Sequence, residues 1–243
     1  MGTDIHLFVE KKLDNGVWQA IRGKNPHLDS WNKSLKEAKE NNNESRIEGI
    51  KDILSDMPKE RYEGWLYWRR NYTLFSILAN VRNYGEEKIE YIDTARGIPE
   101  DVSQVVSDRY SDAVSYCHHA SYINLQEIID FDWYKELTLG GWVTEEVYKD
   151  WIQSNDEPNY PERWAGGVGG GNVEQVSNKI MNHIINDNYD AYNEDKSYYT
   201  KISWKVQYID EIPKFKEAVK ELQDIALNVG SNDRVRLVFW FDS

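Results

Sequence analysis

The 243-residue chain contains one cysteine, Cys117, which excludes an intramolecular disulfide and any zinc site built from paired thiolates and fits a reducing compartment. It has no apolar run approaching the roughly 20 residues that a membrane span requires. The opening Met1-Gly2-Thr3-Asp4-Ile5-His6-Leu7 lacks the basic start and apolar stretch of a secretory signal, so a cytoplasmic location without a membrane partner is expected. Positive charge is in deficit: 29 Lys and Arg stand against 42 Asp and Glu, a formal net charge of -13. The resulting repulsion of phosphate backbones disfavours general nucleic-acid binding. No His-x-x-x-His or Glu-x-x-His spacing occurs, and neither a metal nor a cofactor is expected. Aromatics, by contrast, are abundant, with 10 Trp and 16 Tyr. Such side chains suit half-buried packing, recognition of planar ligands, or cover at a homo-oligomeric interface.

The pattern reads as one α+β domain over residues 1–243, with an antiparallel or mixed sheet covered by helices on one side. Ile5, Leu7 and Val9 alternate with polar neighbours, and Asp14-Asn15-Gly16 supplies turn chemistry before Val17-Trp18-Gln19-Ala20, which predicts a β-hairpin. Residues 25–64 turn Lys-, Glu- and Asn-rich with Ile47, Ile50, Ile53 and Leu54 at helical spacing, a polar helical insertion. Leu74 to Val81 forms another helical stripe. Pro99-Glu100-Asp101 reads as the acidic first turn of a helix. Asn124 and Thr144 read as helix caps, Gly230 as a helix stop. A helix is expected from about Val173 to Ile185, a strand at Ile202 to Tyr208, and a central closing strand at Val235 to Phe241.

Four groups of residues carry chemistry. The run Arg163-Trp164-Ala165-Gly166-Gly167-Val168-Gly169-Gly170-Gly171, within an irregular stretch from Asn155, precedes the expected helix; its amides and the helix dipole would attract a phosphate, and a ligand-free lid is the alternative. Asp4 and His6 share a strand face and would be joined by Asp242 if the first and last strands were neighbours. They suit a base with its orienting carboxylate, or a plain polar sheet edge. His118 and His119 could titrate near neutrality, while Cys117 fits buried packing better than nucleophilic attack. Arg69, Arg70, Arg82 and Arg96 offer planar forks for phosphate. Salt bridging is the competing role for each, and convergence of two or three would favour a ligand.

Asp4-Ile5-His6, Arg70-Asn71-Tyr72-Thr73-Leu74-Phe75-Ser76-Ile77-Leu78-Ala79 with Val81-Arg82-Asn83, Arg96-Gly97-Ile98-Pro99-Glu100-Asp101-Val102-Ser103, His119 to Tyr122, Gly140-Gly141-Trp142-Val143, Trp164 to Gly171 and Val238-Phe239-Trp240-Phe241-Asp242 together resemble a family of phage and prophage proteins. The resemblance covers nearly the whole chain outside the 25–64 insertion. It implies a phage accessory protein, a class that often counters host defence. The expected function is sequestration of a small nucleotide-derived immune signal, a cyclic ADP-ribose isomer or cyclic dinucleotide. Arg70, Tyr72, Arg82, Arg96, Trp164, Gly167, Gly169, Gly170 and Gly171 would hold it. One alternative is a phosphodiesterase or hydrolase cleaving such a signal with Asp4, His6 and His119. The other is an inhibitor docking on a host defence protein.

Overall fold

The computed structural model describes residues 2–84, 87–154 and 160–243. The fold is α+β, with an antiparallel sheet, a mixed sheet and several covering helices. Where the sequence read as one domain, the chain groups into two compact units, Met1–Asp132 with Ile212–Ser243 and Trp133–Glu211.

The first unit is built on β1 (Asp4–Lys12), β2 (Trp18–Ala20), β5 (Cys117–Asn124) and β9 (Val235–Asp242), antiparallel in the order β2-β1-β9-β5. The β1–β2 hairpin turns through Gly16, whose φ of 84° lies where side chains are disfavoured. β9 is central, as its apolar alternation predicts. Leu237, Phe239 and Phe241 lie beside Val9, Leu7 and Ile5, while Arg236, Val238 and Trp240 lie beside Glu10, Phe8 and His6. The sheet is covered on both faces, not one, because β9 is buried on both sides and must be shielded twice. On one face α3 (Tyr72–Ala79) sets Phe75 against Phe241 at 4.9 Å between ring centroids. On the other, α4 (Gln104–Ala113) brings Val106 and Ala113 to Phe8, Ala120, Val238 and Trp240. The helix α9 (Pro213–Val229) packs against β1 and β9 and ends at Gly230 in the left-handed conformation.

A buried ion pair fixes the segment before α4. Arg236 Nε donates to Glu10 Oε2 at 2.8 Å, its Nη1 donates to Asp101 Oδ1 at 2.8 Å, and its guanidinium lies 3.8 Å from the Trp18 ring centre. Glu10 also accepts from the Ser103 amide at 2.8 Å. Pro99-Glu100-Asp101 is therefore not the first turn of a helix; α4 starts at Gln104, and Asp101 serves the arginine instead.

Within residues 25–64, α1 (His27–Glu40) packs on α2 (Glu44–Asp56), which Asn43 caps by accepting from the Arg46 amide. The short strands β3 (Gly23–Lys24) and β4 (Glu60–Arg61) pair at its base. Asn124 and Glu127 form a capping box on α5 (Leu125–Asp130).

The second unit holds β6 (Glu136–Thr144), α6 (Glu145–Gln153), β7 (Val173–Val176), α7 (Asn178–Ile185), β8 (Ser197–Gln207) and the short α8 (Tyr208–Glu211). Its sheet order is β6-β8-β7, with β6 antiparallel and β7 parallel to β8. The helix expected from Val173 is a strand followed by a helix. Val173 to Val176 pair with Ser197 to Thr200, and Ser177 caps α7 by accepting from the Ile180 amide. No helix among the described residues is long and apolar enough to cross a membrane.

Candidate functional site

The antiparallel register of β1 and β9 sets Asp4 opposite Asp242 and His6 opposite Trp240, and β5 adds Cys117 opposite Asp242. First and last strands are thus neighbours, and polar side chains gather at this one end of the sheet.

On the α4 side the centre is His6. Its Nδ1 is 2.7 Å from Glu63 Oε1, and its Nε2 is 3.3 Å from Asp242 Oδ2, an ion-pair distance whose angle falls short of a hydrogen bond. Arg109 Nη2 donates to the second Glu63 oxygen at 2.7 Å. The Glu63 bond raises the His6 imidazole above its ordinary value, against burial, with Asp242 adding to it. Burial alone would raise the Glu63 carboxyl, but the His6 and Arg109 hydrogen bonds outweigh it and hold the group at about 2. Such a histidine is an ion-pair partner, not a free base. Burial pushes the Cys117 thiol up, away from nucleophilic chemistry.

These opposite shifts set a stability window. The His6 contribution is complete below its ordinary value of 6.5 and is lost as pH rises through the raised one. The Glu63 contribution is complete above 4.5 and is lost as pH falls toward about 2. Urea unfolding is therefore expected to show a midpoint that declines as pH rises above 6.5 through the raised His6 value. In His6→Gln that decline flattens; an undiminished decline would place the titrating group elsewhere.

On the α3 side the residues are rich in hydrogen-bond donors. Arg82 Nε donates to Thr3 Oγ1 at 2.7 Å, and Thr3 Oγ1 is 3.0 Å from Ser243 Oγ. Ser243 Oγ is in turn 3.0 Å from His118 Nε2, and His118 Nδ1 is 2.7 Å from His119 Nδ1. Burial, helped by the charges of His119 and Arg82, lowers the His118 imidazole and keeps it neutral. Tyr72 receives the Thr3 amide on its hydroxyl at 3.4 Å and has the Arg82 guanidinium 5.7 Å from its ring centre. Arg70 belongs to the other face: it forks onto Asp4, which shares the His6 side of β1, with bonds of 3.0 and 2.6 Å. Two of these residues sit on strained backbone, Arg82 at φ 62° and His119 at φ 51°. The His119 strain coincides with the register shift of β5 between His118 and Ser121. Exposed aromatics accompany the group: Tyr72 is 41 % exposed and Tyr84, two residues beyond Arg82, 78 %.

The expected ligand residues therefore divide. Tyr72 and Arg82 come together, joined by His118 and His119, while Arg70 is engaged by Asp4 on the His6 face of β1 and Arg69 lies 5.7 Å from the ring centre of Trp68. Arg96 is held farther along β5: it forks onto Glu127 at 3.0 and 2.5 Å, binds Asp93 at 2.7 Å and donates to the Tyr122 carbonyl. Trp164, Gly167, Gly169, Gly170 and Gly171 belong to the second unit, and residues 155–159 of their stretch lie outside the described residues. The glycine run leads into β7, so no helix dipole acts on it as anticipated. Of its glycines, Gly170 has a positive φ, 135°, while a Cβ on Gly166, Gly167, Gly169 or Gly171 would meet open space. Among the described residues no three His, Cys, Asp or Glu side chains are grouped to hold a metal ion.

Sequence reasoning missed Thr3, Glu63, Arg109 and Ser243. Glu63 and Arg109 lie in a loop and a helix with no motif around them, and their role exists only through the His6 contact. No family model, curated protein or solved structure matches this chain, so its chemistry is read from its own side chains.

Proposed function

We propose that the protein captures a small nucleotide-derived signal without turning it over, using the donor-rich end of its antiparallel sheet. The observation that carries this reading is the meeting of Tyr72, Arg82 and the His118–His119 pair around Thr3 and Ser243. Guanidinium, hydroxyl and imidazole donors suit phosphate oxygens, and the exposed tyrosine rings suit a base. Set beside the resemblance to phage and prophage proteins, the role is that of a sponge for a host immune signal of the cyclic ADP-ribose or cyclic dinucleotide class. Purified protein incubated with cyclic ADP-ribose isomers and cyclic dinucleotides, then filtered, should deplete one of them, and heating should release it intact by mass spectrometry. Recovery of a cleaved product would overturn capture in favour of hydrolysis, and depletion of none would remove both.

Hydrolysis is the second reading because of one contact. A neutral His118 with Nε2 3.0 Å from the Ser243 hydroxyl has the geometry of a base beside a proton donor, and His119 fixes its other nitrogen.

A further inference from the structure

The second unit carries a cleft of its own, about 240 Å³, lined by Trp142, Thr144, Glu146, Arg163, Trp164 and Tyr199 among others. Its floor is built by one close approach. Trp164 lies over Gly141, where a Cβ would stand 2.7 Å from the indole Cε3, and it meets Trp204 at 5.5 Å between ring centroids. A strap is what holds Trp164 there: the Trp142 amide donates to Ala165 at 2.8 Å and the Ala165 amide donates back at 2.9 Å.

That bridge also fixes the direction of the backbone. Since both polar groups of Trp142 point to the strap, they point away from β8, and in an antiparallel ladder the residue two positions on repeats that direction. Thr144 is that residue. Among the described residues the strap pairs with β6 at Trp142 alone, and Thr144, beyond that bridge, lines the cleft. Beside it stands the Glu146 carboxylate, whose neighbour Arg163 is 3.4 Å away and which is otherwise well exposed.

We infer that this cleft binds a nucleobase carrying an exocyclic amine next to a ring nitrogen, the adenine or cytosine kind. The ring nitrogen would accept from the Thr144 amide, the amine would donate to Glu146, and the ring would lie against the Trp164 indole. An edge with a carbonyl in place of the amine sets two acceptors against one another at Glu146, which disfavours uracil and hypoxanthine. The volume lies just below the usual range for ligand pockets, which fits a base with its sugar at most. The site is independent of the phosphate-binding reading of the first unit.

Nucleosides test it, because they carry no phosphate for the other site and the two variants below change residues of the second unit alone. Equilibrium dialysis of the full chain with adenosine, cytidine, inosine and uridine should show saturable binding of adenosine or cytidine, at least fivefold tighter than inosine or uridine. Glu146→Gln, at an exposed position, and Trp164→Ala should each weaken that binding at least tenfold, with circular dichroism confirming the fold. Absence of binding, equal binding of the four nucleosides, or wild-type affinity in either variant would overturn the assignment.

Discussion

Arg82→Ala is expected to weaken capture of the nucleotide signal by roughly 30- to 150-fold, the equivalent of about 2–3 kcal/mol for hydrogen bonds from a charged donor to a charged ligand. Arg82 sits where the first unit concentrates its donors: it bonds Thr3, faces the Tyr72 ring and lies near enough to His118 to lower its imidazole. Alanine also keeps an unfavourable left-handed backbone at a site where Arg82 has φ 62°. Arg82→Lys therefore serves as the companion variant: it retains the charge, loses the planar fork and should fall between wild type and alanine. Affinity is measured by depletion from solution, and thermal melts show whether each variant is folded. Wild-type affinity in both would mean that the ligand is held elsewhere.

Arg236→Met is expected to destabilise the protein by about 3–5 kcal/mol, since it leaves Glu10 charged in a site without solvent. Glu10 is 0 % exposed and Arg236 3 %. Glu10 is held by Arg236 and the Ser103 amide, and Asp101 would lose its Arg236 bond as well. The double variant Glu10→Leu with Arg236→Met removes both charges and should recover a large part of the loss, though the Ser103 amide is then left without its acceptor. Urea titrations of the wild type, both single variants and the double variant measure this coupling. If the single substitution costs under about 1 kcal/mol, the pair is not the anchor of the 96–103 segment.

Much of the fold is legible where the sequence keeps one period. The alternation in Val235 to Phe241, the turn at Asp14-Asn15-Gly16, the caps at Asn124 and Thr144 and the stop at Gly230 all act locally. Beyond the two-residue strands β3 and β4, three strands were not legible. β5 is interrupted by the shift at His118 and His119, β6 by Gly140-Gly141, and β7 is only four residues whose pairing with Ser197 to Thr200 is invisible locally. At the site, the neighbours Asp4, His6 and Asp242 follow from strand adjacency once it is supposed. The partners Glu63, Arg109 and Thr3 follow from tertiary packing alone, as does the engagement of Arg96 by Glu127. Arginines in an acidic chain cannot be sorted by sequence into ligand holders and salt-bridge partners, because both roles use the same fork.

The most direct test of the proposed phosphate-binding end is the imidazole spectrum of the five histidines, recorded by long-range proton–nitrogen NMR with cyclic ADP-ribose and with cyclic di-AMP. The account predicts that one of these ligands shifts the His118 and His119 resonances and leaves His27 and His183 in place, because neither belongs to the donor cluster: His27 lies against Trp68 and His183 against Asn188. Unshifted His118 and His119 signals with both ligands at saturating concentration, or shifts confined to His27 or His183, would contradict it.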